Sequence, residues 1–387
     1  MDARARYGVE GAAIQSSTAI KTAAWLRDTG PAGITALARD LKLSRTSVEN
    51  ALAVLQRHDL IIEVPGRSHG AGRPARHYAF HAAGGLVAGV DIGVHSLRVV
   101  VADLAGTTLV VSTTDGVDPT LDPATQLDTV IGQLGEAISG LDPGRLRAIG
   151  ISLPGIIDRF GNVVASVIFP AWAGVDMVGE LRARFGCPVI MDNGVRLATV
   201  AEHHMGSGRR FDDVLYLSVG TRIAAGMILG GHPRRGAHNV AGDIGRVAFR
   251  GLNERTGQIR WRNGHTAKEV FALARQQDAH ARKELREFIN ELARGVATVV
   301  MAIDPAIVII GGGMSLANEE LLEPLREAMA RHIGLPLGLP VIASRLGDEA
   351  AVHGALVFAF DHCAEHIYRI GALPPPTITP MAGQTAR

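Results

Sequence analysis

Hydrophobic positions in the N-terminal part of the chain recur every three to four residues, which is the period of amphipathic helices. This spacing predicts helices over residues 18–27 and 35–41 and a third helix that begins after Leu43. Ser44 is placed to cap the third helix, because its hydroxyl can accept a hydrogen bond from an amide of the first turn. One face of this helix is predicted to be buried through Val48, Ala51, Leu52 and Leu55.

The opposite face of the third helix is polar from its first turn onward. A short helix, a tight turn over residues 41–43 and a helix that exposes polar side chains at its start are typical of a helix-turn-helix. In that arrangement the side chains nearest to base edges or phosphates are those of Arg45, Thr46, Ser47 and Asn50. The sequence therefore predicts double-stranded operator DNA as a partner.

A basic, glycine-rich stretch follows the third helix. Residues 66–78 read GRSHGAGRPARHY and include no acidic residue. The basic side chains chosen as DNA contacts are those of Arg67, Arg73 and Arg76. Strands predicted over residues 60–64 and 76–80 make this stretch the tip of a hairpin, in which glycine permits close backbone approach to a groove. This layout predicts a winged helix-turn-helix domain over residues 1–81.

The pattern changes from helices to short apolar strands after residue 85. The predicted strands cover residues 86–92, 97–104, 107–112, 147–153, 188–191, 214–219 and 306–310. Helical patterns alternate with them, which favours an α/β domain with a mixed sheet over residues 85–373. Three consecutive prolines open the remaining segment, residues 374–387, which we expect to be disordered.

Composition narrows the class of protein without naming a function. The 387 residues are 47% hydrophobic and 20% charged, which suits two or three packed domains. No segment has the pattern of a signal peptide or a membrane span, so a cytoplasmic protein without a membrane partner is expected. Cys187 and Cys363 are too few and too far apart in sequence for a clustered zinc site or a disulfide framework, and both are predicted to be buried.

Several glycine-containing turns follow apolar strands and can bring backbone amides close to a phosphate. They contain Asp91, Gly93, Gly220, Thr221, Gly311 and Gly312. With the N-terminal pattern, the order of the segments resembles the ROK family (repressor, open reading frame, kinase) over nearly the whole chain. The segments that carry this resemblance are GRPARHYAF, AGVDIGVHSLRVVVADLAG, ISLPGIIDRFGNVV, FPAW, MDNGVRLATVAEHHMGSG, LYLSVGTRIAAGMILGG, VAGDIGRV and DPAIVIIGGGMS.

The resemblance implies a transcriptional regulator with a winged helix-turn-helix and a two-lobed domain of the actin and hexokinase-like (ribonuclease H-like) fold. It also implies where a kinase in this family would hold its general base, an aspartate that follows an asparagine. Here that pair reads Asn193-Gly194, and a lost general base costs about 10²- to 10⁴-fold in rate. Asp192 is one residue away, and the alternation of side chains along a strand points it to the other face. The chain is therefore predicted not to be an enzyme.

The resemblance also implies cofactor sites that this sequence has altered. His95 stands where family kinases have a threonine, and Arg222 and Ala224 replace glycines of the second phosphate turn. Arg246 replaces a zinc-binding histidine, and the segment that follows it contains no cysteine. We therefore expect no zinc and no use of ATP.

A ligand cleft remains a hypothesis drawn from the same resemblance. Its candidate residues are Pro154, Gly155, Trp172, Asn193, Asp243 and Arg246, with Trp172 offered as a stacking face for a sugar. Asp243 stands where the family has a sugar-binding glutamate. The expected effector is a sugar or a sugar phosphate, since Arg222 or Arg246 suits an anion.

Three interpretations stay open. The leading one is a ligand-responsive repressor that acts as a homodimer or homotetramer on two half-sites. The alternative is an ATP-dependent sugar kinase with a regulatory DNA-binding arm, and the third is a regulator without any small ligand. Predicted helices over residues 283–302 and 321–332 have apolar faces that suit either subunit contacts or core packing.

Overall fold

The computed structural model describes residues 17–66, 76–249 and 257–379. The chain divides into two compact units, each assembled from segments that are distant in sequence. The first unit takes the residues up to Leu153, Arg159–Asp192 and the residues from Ala355 onward, and the second takes Pro154–Asp158 and Asn193–Gly354. Within the described residues, each unit contains one five-stranded sheet.

The first unit opens with helices and a hairpin that together we call the N-terminal module (residues 17–80). Its elements are α1 (Ser17–Thr29), α2 (Ile34–Leu41), α3 (Arg45–Arg57), β1 (Ile61–Pro65) and β2 (Arg76–Phe80). The helices pack on one another through the buried side chains of Ala23, Leu26, Leu37, Val48, Leu52 and Leu55. The predicted buried face of α3 is confirmed.

The connection between α2 and α3 is a tight turn. Lys42 ends α2 in the left-handed region (φ 55°), and its amide donates back to carbonyl oxygens of the last helical turn. The Ser44 hydroxyl accepts a hydrogen bond of 3.0 Å from the Ser47 amide, which confirms the predicted cap of α3. The C-terminus of α2 at Lys42 and the N-terminus of α3 at Ser44 together set the angle between the two helices.

The hairpin is antiparallel and is fastened to the helices. Ile61 lies opposite Phe80, and Tyr78 exchanges backbone hydrogen bonds of 2.9 and 3.0 Å with Ala32 in the α1–α2 connection. Because both amides of this bridge are satisfied, the hairpin and the helices form a single structural module.

The sheet of the first unit has the order β5-β4-β3-β6-β9. Its strands are β3 (Leu86–Ile92), β4 (Leu97–Asp103), β5 (Thr108–Thr114), β6 (Leu146–Leu153) and β9 (Val189–Asn193). β3 pairs antiparallel with β4 and parallel with β6, so the sheet is mixed, as the sequence predicts. The remaining elements between residues 115 and 188 are α4 (Pro123–Ile138), β7 (Ile156–Ile157), β8 (Val163–Ala165) and α5 (Met177–Phe185).

The sheet of the second unit is also mixed and has the order β12-β11-β10-β13-β14. Its strands are β10 (Val214–Val219), β11 (Ile223–Leu229), β12 (His232–Pro233), β13 (Ile307–Gly311) and β14 (Val341–Ala343). The helices from residue 194 onward are α6 (Gly194–His204), α7 (Gly245–Ala248), α8 (Ala267–Arg275), α9 (Ala279–Ile303), α10 (Glu319–Ile333), α11 (Ala350–His362) and α12 (Ala364–Tyr368).

The apolar faces of α9 and α10 supply the core of the second unit. Leu292 and Val296 of α9 and Leu322 and Leu325 of α10 are buried together with strands β10 and β13. The sequence left open whether these apolar faces make subunit contacts or pack in the core, and the structure shows that these four side chains pack in the core. No helix among the described residues is both long and apolar enough to cross a membrane.

Residues 374–379 correct the prediction of a disordered C-terminal tail. The Thr379 amide donates to the Gly106 carbonyl at 3.0 Å, and the Thr379 carbonyl accepts from the Thr108 amide at 3.1 Å. Ile378 is only 3% exposed. The buried side chains of Pro376 and Ile378 and the backbone edge at Gly106 and Thr108 are sufficient to order this segment. Residues 380–387 lie outside the described part.

Candidate functional site

The polar start of α3 presents three of the four side chains expected to contact DNA. Arg45, Thr46 and Asn50 are exposed on the first two turns of the helix. Ser47 is half-buried, and its hydroxyl lies 2.8 Å from the hydroxyl of Ser44 within the cap. Ser47 therefore contributes to the start of the helix, while the other three side chains are open to a ligand.

The hairpin adds one described arginine to the same module. Arg76, the first residue of β2, is exposed, and its Nε lies 3.3 Å from Glu63 Oε1 on β1. Arg67 and Arg73 lie outside the described residues. A glutamate also faces Arg45, since Glu49 Oε1 is 2.9 Å from Arg45 Nε. Sequence reasoning on basic residues alone did not single out these two carboxylates.

In the second unit, Asn193 and Gly155 of the expected ligand cleft are held together. Asn193 Nδ2 donates to the Gly155 carbonyl at 2.7 Å, which ties α6 to the turn that begins at Pro154. Asn193 Oδ1 accepts from the amides of Val195 and Arg196 at 2.9 and 3.2 Å, as an N-cap of α6 does. Much of the hydrogen-bonding capacity expected for a sugar is thus used within the protein.

Gly194 is the first residue of α6 and brings no side chain to this point. Asp192, the neighbouring carboxylate, lies on β9 and is 2% exposed. Asp243 is exposed, and its backbone closes a turn by donating to the Val240 carbonyl at 3.0 Å. Arg246 lies in α7, and its side chain is outside the described part.

Trp172 corrects the expectation of a stacking face for a sugar. This side chain lies in the first unit, is 1% exposed and stacks on the ring of Phe169 at 4.7 Å between centroids. The ring is therefore part of a core. An aromatic residue two positions after a proline gives no local signal that distinguishes a core position from a ligand wall.

Arg196 is a residue of this region that sequence reasoning missed. It follows the Asn193 cap by three positions in α6, its side chain is 4% exposed, and Nη2 donates to the Asn239 carbonyl at 3.2 Å. Buried arginines are uncommon, and the buried face of a helix is predicted from the spacing of its apolar residues, so Arg196 was not selected. The available signal was a cation directly before the apolar residues Leu197 and Ala198 of α6.

The first of the expected nucleotide turns is closed by internal contacts. Asp91 Oδ1 accepts from the Ser152 hydroxyl at 2.6 Å, and Asp91 Oδ2 lies 3.7 Å from Arg98 Nη1. The Gly93 amide donates to the Ser96 carbonyl at 3.1 Å. His95 is exposed at the tip of this turn. The carboxylate and the glycine thus both have structural contacts that do not require a phosphate.

The remaining turns border a cavity of about 640 Å³ within the second unit. Gly220 and Thr221 line it, together with Gly313. A Cβ added at Gly220 or Gly313 would meet open space or one distant atom, so these two glycines present bare backbone. A Cβ at Gly311 would overlap the Tyr216 hydroxyl, and Gly312 has φ +77°, so those two glycines are explained by packing and backbone shape.

The other walls of this cavity come from residues that sequence reasoning did not select. Trp261, Phe271 and Met314 form apolar surface, and Lys268 and His265 add basic groups. Four of these residues lie between positions 261 and 271, whereas Met314 and the turn at Gly220 come from distant segments, so no single local motif joins all the walls. Burial lowers the pKa of the half-buried Arg222, which follows Thr221.

The described residues contain no group of three or more His, Cys, Asp or Glu side chains able to hold a metal ion. Cys187 and Cys363 are buried, as predicted, and burial raises the pKa of both thiols to about 12. Each thiol is therefore protonated near neutral pH.

Comparison with known proteins identifies the family. The two mixed sheets have the α/β fold of solved ROK family proteins. The profile of the ROK family matches residues 87–254 and 246–362, and the chain belongs to this family.

Both kinases and repressors are among the relatives. A glucokinase of Thermotoga maritima is 30% identical over 67% of this chain and 96% of its own length. The xylose repressor of Bacillus subtilis is 23% identical over 84% of this chain and 90% of its own length. The solved structure of a ROK family transcriptional regulator, a homologue of the E. coli MLC protein, shares the fold with a TM-score of 0.69 at 20% identity, over 91% of this chain and 97% of that one.

Proposed function

We propose that this protein is a transcriptional repressor that binds operator DNA through an N-terminal winged helix-turn-helix. The observation that carries the proposal is the N-terminal module, in which α3 exposes Arg45, Thr46 and Asn50 and is followed by a hairpin whose second strand begins with Arg76. A helix that enters the major groove uses such side chains on base edges, and a basic hairpin suits phosphates. Arg67 and Arg73 are proposed contacts of the same hairpin.

The extent of the matches supports a regulator over a kinase. The glucokinase match covers 67% of this chain and nearly all of the glucokinase. The match to the xylose repressor covers 84% of the chain, a larger share than the residues after 85 could supply. The repressor likeness therefore reaches into the N-terminal module. We further propose that the protein acts in the cytoplasm, as a homodimer or homotetramer on a two-fold operator.

The ROK domain of this protein is proposed to sense a sugar or a sugar-derived anion without transferring phosphate. Gly194 offers no general base, and the internal contacts of Asp91 suit a structural role. We accordingly propose no zinc and no ATP turnover. The residues assigned to the effector are Pro154, Gly155, Asn193, Asp243 and Arg246, without Trp172.

Selection of DNA from a random duplex pool by the full-length protein tests the DNA-binding proposal. The wild-type protein should enrich one motif. Arg45→Ala and Asn50→Ala should weaken binding to it selectively, whereas Arg73→Ala should weaken all duplexes and reduce the salt slope by about one. Arg331→Ala removes an exposed arginine of the second unit as the matched control. An unenriched pool would contradict the proposal.

The alternative is an ATP-dependent sugar kinase with a regulatory DNA-binding arm, which the 30% identity to a glucokinase keeps in view. A coupled assay on a panel of hexoses with ATP separates the two. The repressor proposal expects no turnover by the wild-type protein. Thermal-shift measurements with the same hexoses and with their phosphates then test for an effector, because a ligand that prefers the native state raises its melting temperature.

A further inference from the structure

We propose that Glu49 determines DNA sequence specificity by positioning Arg45, so that this arginine reads a guanine through its two Nη groups. This inference rests on the proposed DNA-binding function. Glu49 would be a positioning residue, since it acts through Arg45.

The two side chains meet on the exposed face of α3. Arg45 Nε donates to Glu49 Oε1 at 2.9 Å, and the side chains remain 69% and 46% exposed. This is the one hydrogen bond of the Arg45 guanidinium within the described part of the chain. The Nη groups therefore remain open to a ligand, while Nε is occupied.

Helix stability does not account for this pair. Arg45 is the first residue of α3, where the positive end of the helix dipole disfavours a cation. An acid that precedes a base by four residues is the favourable order, and here the base comes first. An exposed ion pair of this kind contributes little to folding. The proposed contact of the exposed face of α3 with DNA explains the Glu49 carboxylate better than helix stability does.

A carboxylate on a DNA-binding face opposes the attraction of phosphates. If α3 were optimised only for affinity to DNA, a carboxylate beside Arg45, Thr46 and Asn50 would be unfavourable, because phosphates repel it. With Nε held by Glu49, the guanidinium can offer the parallel N–H groups of Nη1 and Nη2, which match guanine O6 and N7. Glu49 thus lowers affinity for DNA in general and restricts the orientation in which Arg45 binds.

The test compares discrimination at one base pair with affinity for unrelated DNA. The full-length protein first selects its preferred duplex, and base-by-base substitution of that duplex identifies the guanine that Arg45→Ala ceases to distinguish. For this guanine we expect Arg45→Ala to reduce discrimination about 10-fold or more. Glu49→Ala should reduce it about 5-fold and raise affinity for unrelated DNA about 2- to 5-fold. The double variant should lose no more than Arg45→Ala alone.

Two further variants separate geometry from charge. Glu49→Gln retains an oxygen that accepts from Nε, so it should retain most of the discrimination while affinity for unrelated DNA rises. Asp40→Ala removes the same charge from the exposed Arg39–Asp40 pair of α2 and should leave discrimination at this guanine unchanged.

The inference would be overturned if the Glu49→Ala variant discriminated at this guanine as well as the wild-type protein does. An equal loss at every base pair would also overturn it, because it would show that Glu49 supports the helix and not the contact of Arg45. Either result leaves the DNA-binding proposal intact if the wild-type protein still enriches a motif. An unenriched pool for the wild-type protein would instead remove the function on which the inference rests.

Discussion

Arg27 in α1 donates a hydrogen bond of 2.8 Å from Nη1 to the carbonyl oxygen of Pro374, 347 residues later in the chain. The same Nη1 lies 3.5 Å from the hydroxyl of Tyr368, which donates to the Leu104 carbonyl at 3.1 Å. The Arg27 side chain is 3% exposed. One guanidinium therefore joins the N-terminal module to the C-terminal part of the first unit.

Replacing Arg27 by methionine should destabilise the protein. The substitution keeps much of the apolar stem but leaves the Pro374 carbonyl without its donor, at a cost of about 2 kcal/mol in the free energy of unfolding. Denaturant unfolding measures this difference. Lys21→Met, at an exposed position of the same helix, is the matched control. Equal stability of the two variants would contradict a joining role for Arg27.

Removing residues 374–387 should destabilise the protein more than removing residues 380–387. The longer deletion removes the buried Ile378, both backbone hydrogen bonds of Thr379 and the Pro374 carbonyl that accepts from Arg27, which together contribute about 5 kcal/mol. The shorter deletion leaves these contacts in place and serves as its control. Similar melting temperatures for both truncated proteins would show that residues 374–379 add nothing to stability.

The glycines around the second-unit cavity should differ in their tolerance of a methyl group. Gly311→Ala places a Cβ against the Tyr216 hydroxyl, so it should cost about 1–3 kcal/mol of stability. Gly313→Ala meets nothing within 4 Å and should leave stability within about 0.5 kcal/mol of the wild type. A comparison of their unfolding midpoints checks this pair, and equal destabilisation would contradict the packing explanation of Gly311.

Much of the fold was predictable because its signals are local. β3 and β10 begin and end where their apolar runs do, and Ser44 caps α3 through a contact only three residues away. The errors involve partners distant in sequence. The order of residues 374–379 depends on Gly106 and Thr108, and the burial of Trp172 depends on how the first unit packs around it.

The candidate site was predictable in part for the same reason. The polar start of α3 can be read from consecutive residues, so Arg45, Thr46 and Asn50 were expected on one exposed face. The cavity beside Gly220 takes Trp261 and Met314 from separate segments, which no spacing rule connects. Glu49 was visible in the sequence, but its role depends on a side-chain contact with Arg45 that only the structure provides.

Under the proposed function, Gly194→Asp should add a carboxylate where a general base is proposed to be missing, without making the protein a kinase. An aspartate in the first turn of α6 interacts favourably with the helix dipole, and replacing glycine reduces the entropy of the unfolded chain, so stability should rise by about 0.5–1 kcal/mol. Turnover of hexoses should stay absent, because Arg222 remains in the second phosphate turn. Measurable phosphorylation by this variant would show that the missing base was the main defect.

His353 should make the folded state sensitive to acid. It is buried in α11, and burial lowers the pKa of its imidazole from the ordinary 6.5 to about 4. The unfolded chain therefore binds a proton more readily than the folded one. The contribution of His353 to stability is complete above about pH 6.5 and is lost as the pH falls toward 4, up to about 3 kcal/mol.

His353→Leu should remove this part of the acid sensitivity. Leucine has a similar volume and no titrating group, and His353 Nδ1 has no hydrogen-bond partner within the described part of the chain, so stability near neutral pH should not fall. Denaturant unfolding between about pH 7.5 and pH 4.5 should give a shallower loss for this variant than for the wild type. His280→Gln replaces an exposed histidine and should follow the wild-type curve. If His353→Leu also followed that curve, the acid sensitivity would have to come from other groups, such as carboxylates protonated in the same range.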